Sequence, residues 1–248
     1  MIIEDLIEIN RRLSYDLWNV SAFNGHPSGL SPRLIFPVNR INGEIRISEQ
    51  EARILYCNIL NSLNYFYSIE TPTDNAYIQS GKTGVSALSD LSIYTYNNNS
   101  SSIFNKMVNV EFKAGTSTYE GIRKDIEKII TEGKDGNWFH ILKNIDRRSL
   151  PVVYNRFIKS IQNHFNQSKK ISILFCICIL EPESLKLEKK WGMIKHFEYD
   201  SSLGKNIPNY MEEFFCMDKN NDLNNIDGKN LETQKDTLKN NGWMIVEQ

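Results

Sequence analysis

Apolar residues recur along this chain with two different periods. In residues 107–114 (MVNVEFKA) they alternate: Val108, Val110, Phe112 and Ala114 share one face, and Met107, Asn109, Glu111 and Lys113 share the other. That is the pattern of a strand with one buried side. Residues 86–96 (SALSDLSIYTY) lie just upstream and are rich in β-formers, and the tract 97–102 (NNNSSS) between the two segments predicts a hairpin loop. In residues 48–66, Leu55, Ile59, Leu63 and Phe66 recur four, four and three apart, one face of an amphipathic helix with Ser48 as its N-cap. A second helix is expected after the 107–114 strand. Ser117 and Glu120 have capping-box spacing, Ile122, Ile126, Ile129 and Ile130 form the apolar stripe, and Gly133 supplies the stop. Further helices are predicted over 137–144 and over 151–165, the latter with Pro151 in its first turn. Residues 171–180 (ISILFCICIL) are continuously apolar but reach only half of the roughly 20 residues a membrane span needs. They read as a central strand buried on both faces.

With 248 residues, 40% apolar and 11% aromatic, the chain can bury a substantial core, which excludes wholesale disorder. Its 29 Lys and Arg against 30 Asp and Glu argue at first against a polyanion-binding protein, but the balance is uneven. Residues 181–248 hold 9 basic and 13 acidic side chains, leaving 20 and 17 in residues 1–180. Three regions are therefore expected: an N-terminal extension, 1–47, packed on the core; a core, 48–180; and an acidic C-terminal segment, 181–248. The last ends in Trp243, Met244, Ile245 and Val246, apolar enough to dock on the core, a second subunit in a homodimer, or a partner protein. Cys57, Cys176, Cys178 and Cys216 lack metal-ligand spacing and read as buried reduced thiols. The N-terminus has neither the positive start nor the cleavage site of a signal peptide, so a cytoplasmic location and no membrane partner are expected.

The chemistry is concentrated on the polar faces of the two predicted strands. Glu111 and Lys113 lie about 6.5–7 Å apart along their strand, and a hairpin return would bring Asp90 beside Glu111. Two such carboxylates repel unless a cation lies between them, and oxygen ligands of this kind suit Mg²⁺. Asp74 is an alternative to Asp90, and a solvated strand face is the structural alternative for Glu111 and Lys113.

Asp90 followed by Glu111, Phe112 and Lys113 on adjacent strands, with a helix before and a helix after, resembles the PD-(D/E)xK, or restriction-endonuclease-like, nuclease superfamily. Ser89 stands where the family name has proline. The resemblance spans roughly residues 48–180 and implies an α/β fold with a mixed central β-sheet flanked by helices, its core ordered helix, three strands, helix, strand. It implies Asp90 and Glu111 as metal-binding acids, the Phe112 backbone carbonyl as a further ligand and Lys113 as the catalytic lysine. Glu51, on the first core helix, is the candidate for an additional catalytic and metal-binding glutamate; it also completes a capping box with Ser48, and Glu49 is the fallback. The implied cofactor is Mg²⁺, with Mn²⁺ as a substitute. The implied activity is phosphodiester hydrolysis in a nucleic acid, DNA before RNA, in restriction, phage defence or repair. The alternative is a catalytically silent nuclease-fold module that binds nucleic acid or protein.

Arg123, Lys124 and Lys128, on the helix after the site, are candidate nucleic-acid contacts, and Arg147 and Arg148 are similar. A solvated helix face is the competing reading of all five. His140 reads as a packed helix residue rather than a base. Residues 76–83 (AYIQSGKT) end like a phosphate-binding loop but lack its first glycine and precede a strand. Residues 218–230 begin with calcium-loop spacing but carry Leu223 where glycine is required.

Overall fold

In a computed structural model of the chain, the described residues are 3–22, 34–79, 82–98, 102–145, 149–162, 170–180, 190–200 and 231–248. Helix α1 (Ile3–Trp18) is followed by two short paired segments, β1 (Ser21–Ala22) and β2 (Ile35–Phe36), and by α2 (Glu49–Ser62). Next come β3 (Phe66–Gln79), β4 (Lys82–Tyr96), β5 (Phe104–Ala114), α3 (Tyr119–Glu132), β6 (Asp135–Leu142), α4 (Leu150–Gln162) and β7 (Lys170–Ile179). The chain closes with β8 (Trp191–Asp200), α5 (Leu231–Asn240) and β9 (Trp243–Glu247).

Strands β3 to β9 form one seven-stranded mixed sheet in sequence order. The β3–β4–β5 and β7–β8–β9 pairs are antiparallel, and β5–β6–β7 are parallel. Parallel neighbours need a crossover, and α3 and α4 supply the two here. Both rest on one face, where Ile122, Ile126 and Ile129 of α3 and Val153 and Phe157 of α4 pack with Trp138, Phe175 and Trp191. Helices α1 and α2 cover the opposite face through Leu6, Ile9, Leu13, Leu55, Tyr56 and Ile59, against Val110, Phe112, Phe139 and Cys176. The apolar run 171–180 is thus the inner strand β7, whose odd positions Ile173, Phe175 and Ile177 enter one core and whose even positions Leu174, Cys176 and Cys178 enter the other. Among the described residues, no helix is long and apolar enough to cross a membrane.

Several expectations need correction. Residues 137–142 belong to β6, a strand rather than a helix, and 143–144 lie beyond its end. Trp138, Phe139, His140 and Ile141 are all fully buried, and a run buried on every side has no period from which helix and strand can be told apart. Gly136 admits α3 close to this strand, since a Cβ there would lie 2.4 Å from Ile129 Cγ2. The stripe of α2 stops early: Leu63 is the C-cap, and Phe66 opens β3 with its ring half exposed. The cap of α3 is Thr118, which accepts from Gly121 N–H, rather than Ser117, and Gly133 ends the helix in the left-handed region. In the acidic segment, β8 and β9 extend the sheet, with Trp243 and Val246 buried against this chain's own core. Cys57, Cys176 and Cys178 are buried free thiols, whereas Cys216, Arg147, Arg148 and residues 218–230 lie outside the described residues.

Candidate active site

Strands β4 and β5 pair in a register whose last partners are Leu91 and Val110. Asp90 and Glu111 stand next in that register, but the ladder opens there. Asp90 Oδ2 accepts from the Phe112 backbone N–H at 2.8 Å, and Asp90 Oδ1 takes Arg53 Nη2 of α2 at 2.9 Å. Arg53 also reaches Glu70 Oε1 at 3.3 Å. The parting of the strands thus turns Asp90 toward α2 at the end of the sheet, beside the Glu111-Phe112-Lys113 run.

Glu111 is fully buried and points toward α3. Its Oε2 lies 2.8 Å from Lys128 Nζ, and its Oε1 has no hydrogen-bond partner among the described residues. Lys128 also donates to the Leu88 carbonyl at 2.9 Å and lies 3.1 Å from Asp125 Oδ1. The other Asp125 oxygen, Oδ2, is 2.7 Å from Lys113 Nζ, and Glu49 Oε1 is 3.9 Å from the same ammonium. Five acids, Glu49, Glu70, Asp90, Glu111 and Asp125, therefore share three cations, Arg53, Lys113 and Lys128.

The electrostatics follow from burial and this excess of acids. Burial pushes the Glu111 carboxyl up to about 8, and the neighbouring Asp125 and Asp90 charges add to the shift against the opposing effect of Lys128. Glu49 is raised chiefly by burial, with Lys113 opposing. Burial works against charge on Lys113 and Lys128, yet both hold their protons more firmly than an ordinary lysine. At Lys113 the cause is Asp125, joined by Glu49 and Asp90, and at Lys128 it is Glu111, joined by Asp125. Glu111 and Glu49 are thus held toward their neutral forms chiefly by burial, while Lys113 and Lys128 are held charged by the acids beside them.

The buried Oε1 of Glu111, without a hydrogen-bond partner among the described residues, is an oxygen that a cation could take. Among the described residues, no three His, Cys, Asp or Glu side chains form a ready-made cage. Mg²⁺ does not require one, since it binds through one or two carboxylates and completes its shell with water and substrate phosphate. Asp90 and Glu111, next to each other in the β4–β5 register, are the two carboxylates that would serve, together with the Phe112 carbonyl.

Other predicted residues lie elsewhere. Glu51 is tied into the capping box of α2, its Oε2 accepting from Ser48 N–H at 3.2 Å and from Ser48 Oγ, and the acid beside Lys113 is Glu49. Lys128 is buried in the cluster rather than offered to a phosphate at the surface. Arg123 pairs with Glu120 and Glu127 along α3, whereas Lys124 is exposed. The exposed Asp74 lies 3.6 Å from Lys106 on β5. His140 is on β6, fully buried, with Nε2 2.6 Å from the Gly115 carbonyl; burial pushes it down to about 4, which keeps it neutral. Sequence reasoning missed Arg53 and Asp125. Asp125 carried a signal, since three residues after Ile122 and four before Ile129 it falls inside the buried stripe of α3. No protein-family model, curated protein or solved structure matches the chain.

Proposed function

We propose that the chain is a metal-dependent nuclease with a restriction-endonuclease-like core, hydrolysing phosphodiester bonds in nucleic acid, with DNA the expected substrate. The observation that carries this reading is the placing of Asp90 beside the Glu111-Phe112-Lys113 run where β4 and β5 part, with a buried, unpartnered Glu111 oxygen there. The order α2, β3, β4, β5, α3, β6 supports it, being the helix, three strands, helix, strand sequence of that superfamily.

Each residue then has a role. Asp90, Glu111 and the Phe112 carbonyl would hold the cation, and Arg53 together with the Phe112 N–H fixes the Asp90 carboxylate. Bound there, Mg²⁺ or Mn²⁺ supplies an activated water and neutralises charge on the phosphoryl group. Lys113, protonated and steered by Asp125 and Glu49, donates to the phosphate oxygen as negative charge builds on it. Lys124, exposed on α3, is the remaining candidate of its helix for a backbone phosphate.

One observation favours a second reading, a catalytically silent module of the same fold: the acids do not form a three-ligand cage among the described residues. An assay separates the two. Purified protein is incubated with plasmid, single-stranded DNA and RNA in Mg²⁺, Mn²⁺ or EDTA, and the same substrates are run in a mobility-shift assay. Cleavage in metal and none in EDTA supports the nuclease; a mobility shift with every substrate left intact supports the silent module.

A further inference from the structure

Lys128 is the group in this cluster to which the proposed chemistry gives no role. Its ammonium has three N–H donors, and three acceptors lie around it: the Leu88 carbonyl at 2.9 Å, Asp125 Oδ1 at 3.1 Å and Glu111 Oε2 at 2.8 Å. The first belongs to β4 and the second to α3 itself, so the ammonium is fixed independently of Glu111. Only about a tenth of its side chain is exposed, too little for a phosphate-binding lysine at the surface. On Glu111, the bond to Lys128 occupies Oε2 and leaves Oε1 as the oxygen without a partner.

We propose that Lys128 is a positioning residue: anchored by Leu88 and Asp125, it holds Glu111 through Oε2 so that Oε1 is the oxygen presented to the divalent cation. The inference rests on the metal-dependent reading above and adds a residue outside the Asp, Glu and Lys of the motif. Partners that orient a ligating carboxylate typically contribute about 10–100-fold in metal affinity. Asp125 gains a linking role as well, since its two oxygens hold Lys128 and Lys113 and so couple the orientation of Glu111 to that of the amine facing the phosphate.

The test is Mn²⁺ affinity, followed by the electron paramagnetic resonance signal of the free ion, on the full chain without nucleic acid. Lys128→Met should bind Mn²⁺ about tenfold or more weakly than the unaltered protein. Val246→Ala, which removes buried volume on β9, four strands from β5, controls for lost stability and should bind as the unaltered protein does. Equal or tighter binding by Lys128→Met overturns the proposal, tighter binding meaning that Lys128 competes with the ion. If the unaltered protein fails to bind Mn²⁺ at millimolar concentration, the metal-dependent reading falls and the proposal with it. If it binds and Lys128→Met matches it, only the proposal falls.

A second measurement needs no variant. Reductive methylation mapped by mass spectrometry should find Lys128 protected both without metal and with saturating Mn²⁺, with the exposed Lys124 as the reactive reference. A rise in Lys128 modification on adding Mn²⁺ would mean that the ion displaces it from Glu111, and would overturn the proposal.

Discussion

Replacing Glu111 with glutamine should make the metal-free protein more stable while removing the proposed activity. In the unfolded chain at pH 7 this carboxyl is ionised in water, with its ordinary pKa of 4.5, whereas in the fold burial and the neighbouring acids raise it to about 8. Bringing a proton to a group of pKa 4.5 at pH 7 costs about 3 kcal/mol, at 1.36 kcal/mol for each pH unit. Glutamine is nearly isosteric and carries no charge, so that cost vanishes. Its carbonyl can keep the contact with Lys128, but its amide group enters the position where Glu111 Oε1 has no partner, a loss of about 1 kcal/mol. The net expectation is a gain of roughly 2 kcal/mol at pH 7. The sign of the pH dependence follows from the raised value. The contribution of Glu111 to stability is fully present below pH 4.5 and is lost as pH rises through about 8, so the advantage of glutamine should grow across that window. Urea unfolding in EDTA from pH 4.5 to 8, with cleavage in Mg²⁺ measured in parallel, checks both halves. A variant less stable by about 1 kcal/mol or more at pH 7 would refute the reasoning, because it would mean that Glu111 is ionised in a favourable pair with Lys128.

Three further outcomes are expected. His140 is pushed down from 6.5 to about 4, so its contribution is present above pH 6.5 and lost as pH falls toward 4, by about 3 kcal/mol in all; unfolding curves of the unaltered protein and His140→Gln should converge across that range. Glu49→Gln should slow cleavage more than Glu51→Ala, which should mainly lower stability, by about 1 kcal/mol through loss of the capping box; rates and melting curves of the two variants decide this. Gly136→Ala should cost about 1–3 kcal/mol in chemical unfolding, because its Cβ would meet Ile129 Cγ2, and a neutral effect would count against the close α3–β6 contact.

What the sequence disclosed depended on whether one face of an element is polar. Strand β5 alternates cleanly because its Glu111 face carries the polar cluster while Val108, Val110 and Phe112 enter the core, and α3 shows its stripe and its glycine stop for the same reason. Strand β6 is buried on both faces and offered no such contrast, so it was read as a helix. In α2, Glu49 and Glu51 are both acids in the first turn, and local spacing favours Glu51 as part of the inward stripe. Only the path of the chain determines that Glu51 folds back on Ser48 and that Glu49 lies near Lys113. Lys128, beside Glu127 on a helix, reads from sequence as a surface lysine, a phosphate contact or a solvated charge. Its burial depends on two acceptors distant in sequence, the Leu88 carbonyl and Glu111. Arg53 likewise gains meaning only when Asp90 turns out of its strand to meet it.

The most direct test of the nuclease assignment is plasmid cleavage by the purified chain beside Asp90→Asn and Lys113→Met, in Mg²⁺ and in EDTA. Mg²⁺-dependent cleavage by the unaltered protein is expected, with a loss on the order of 100-fold or more in each variant and the fold intact by circular dichroism. Cleavage that persists in EDTA, or that survives Asp90→Asn, would contradict it.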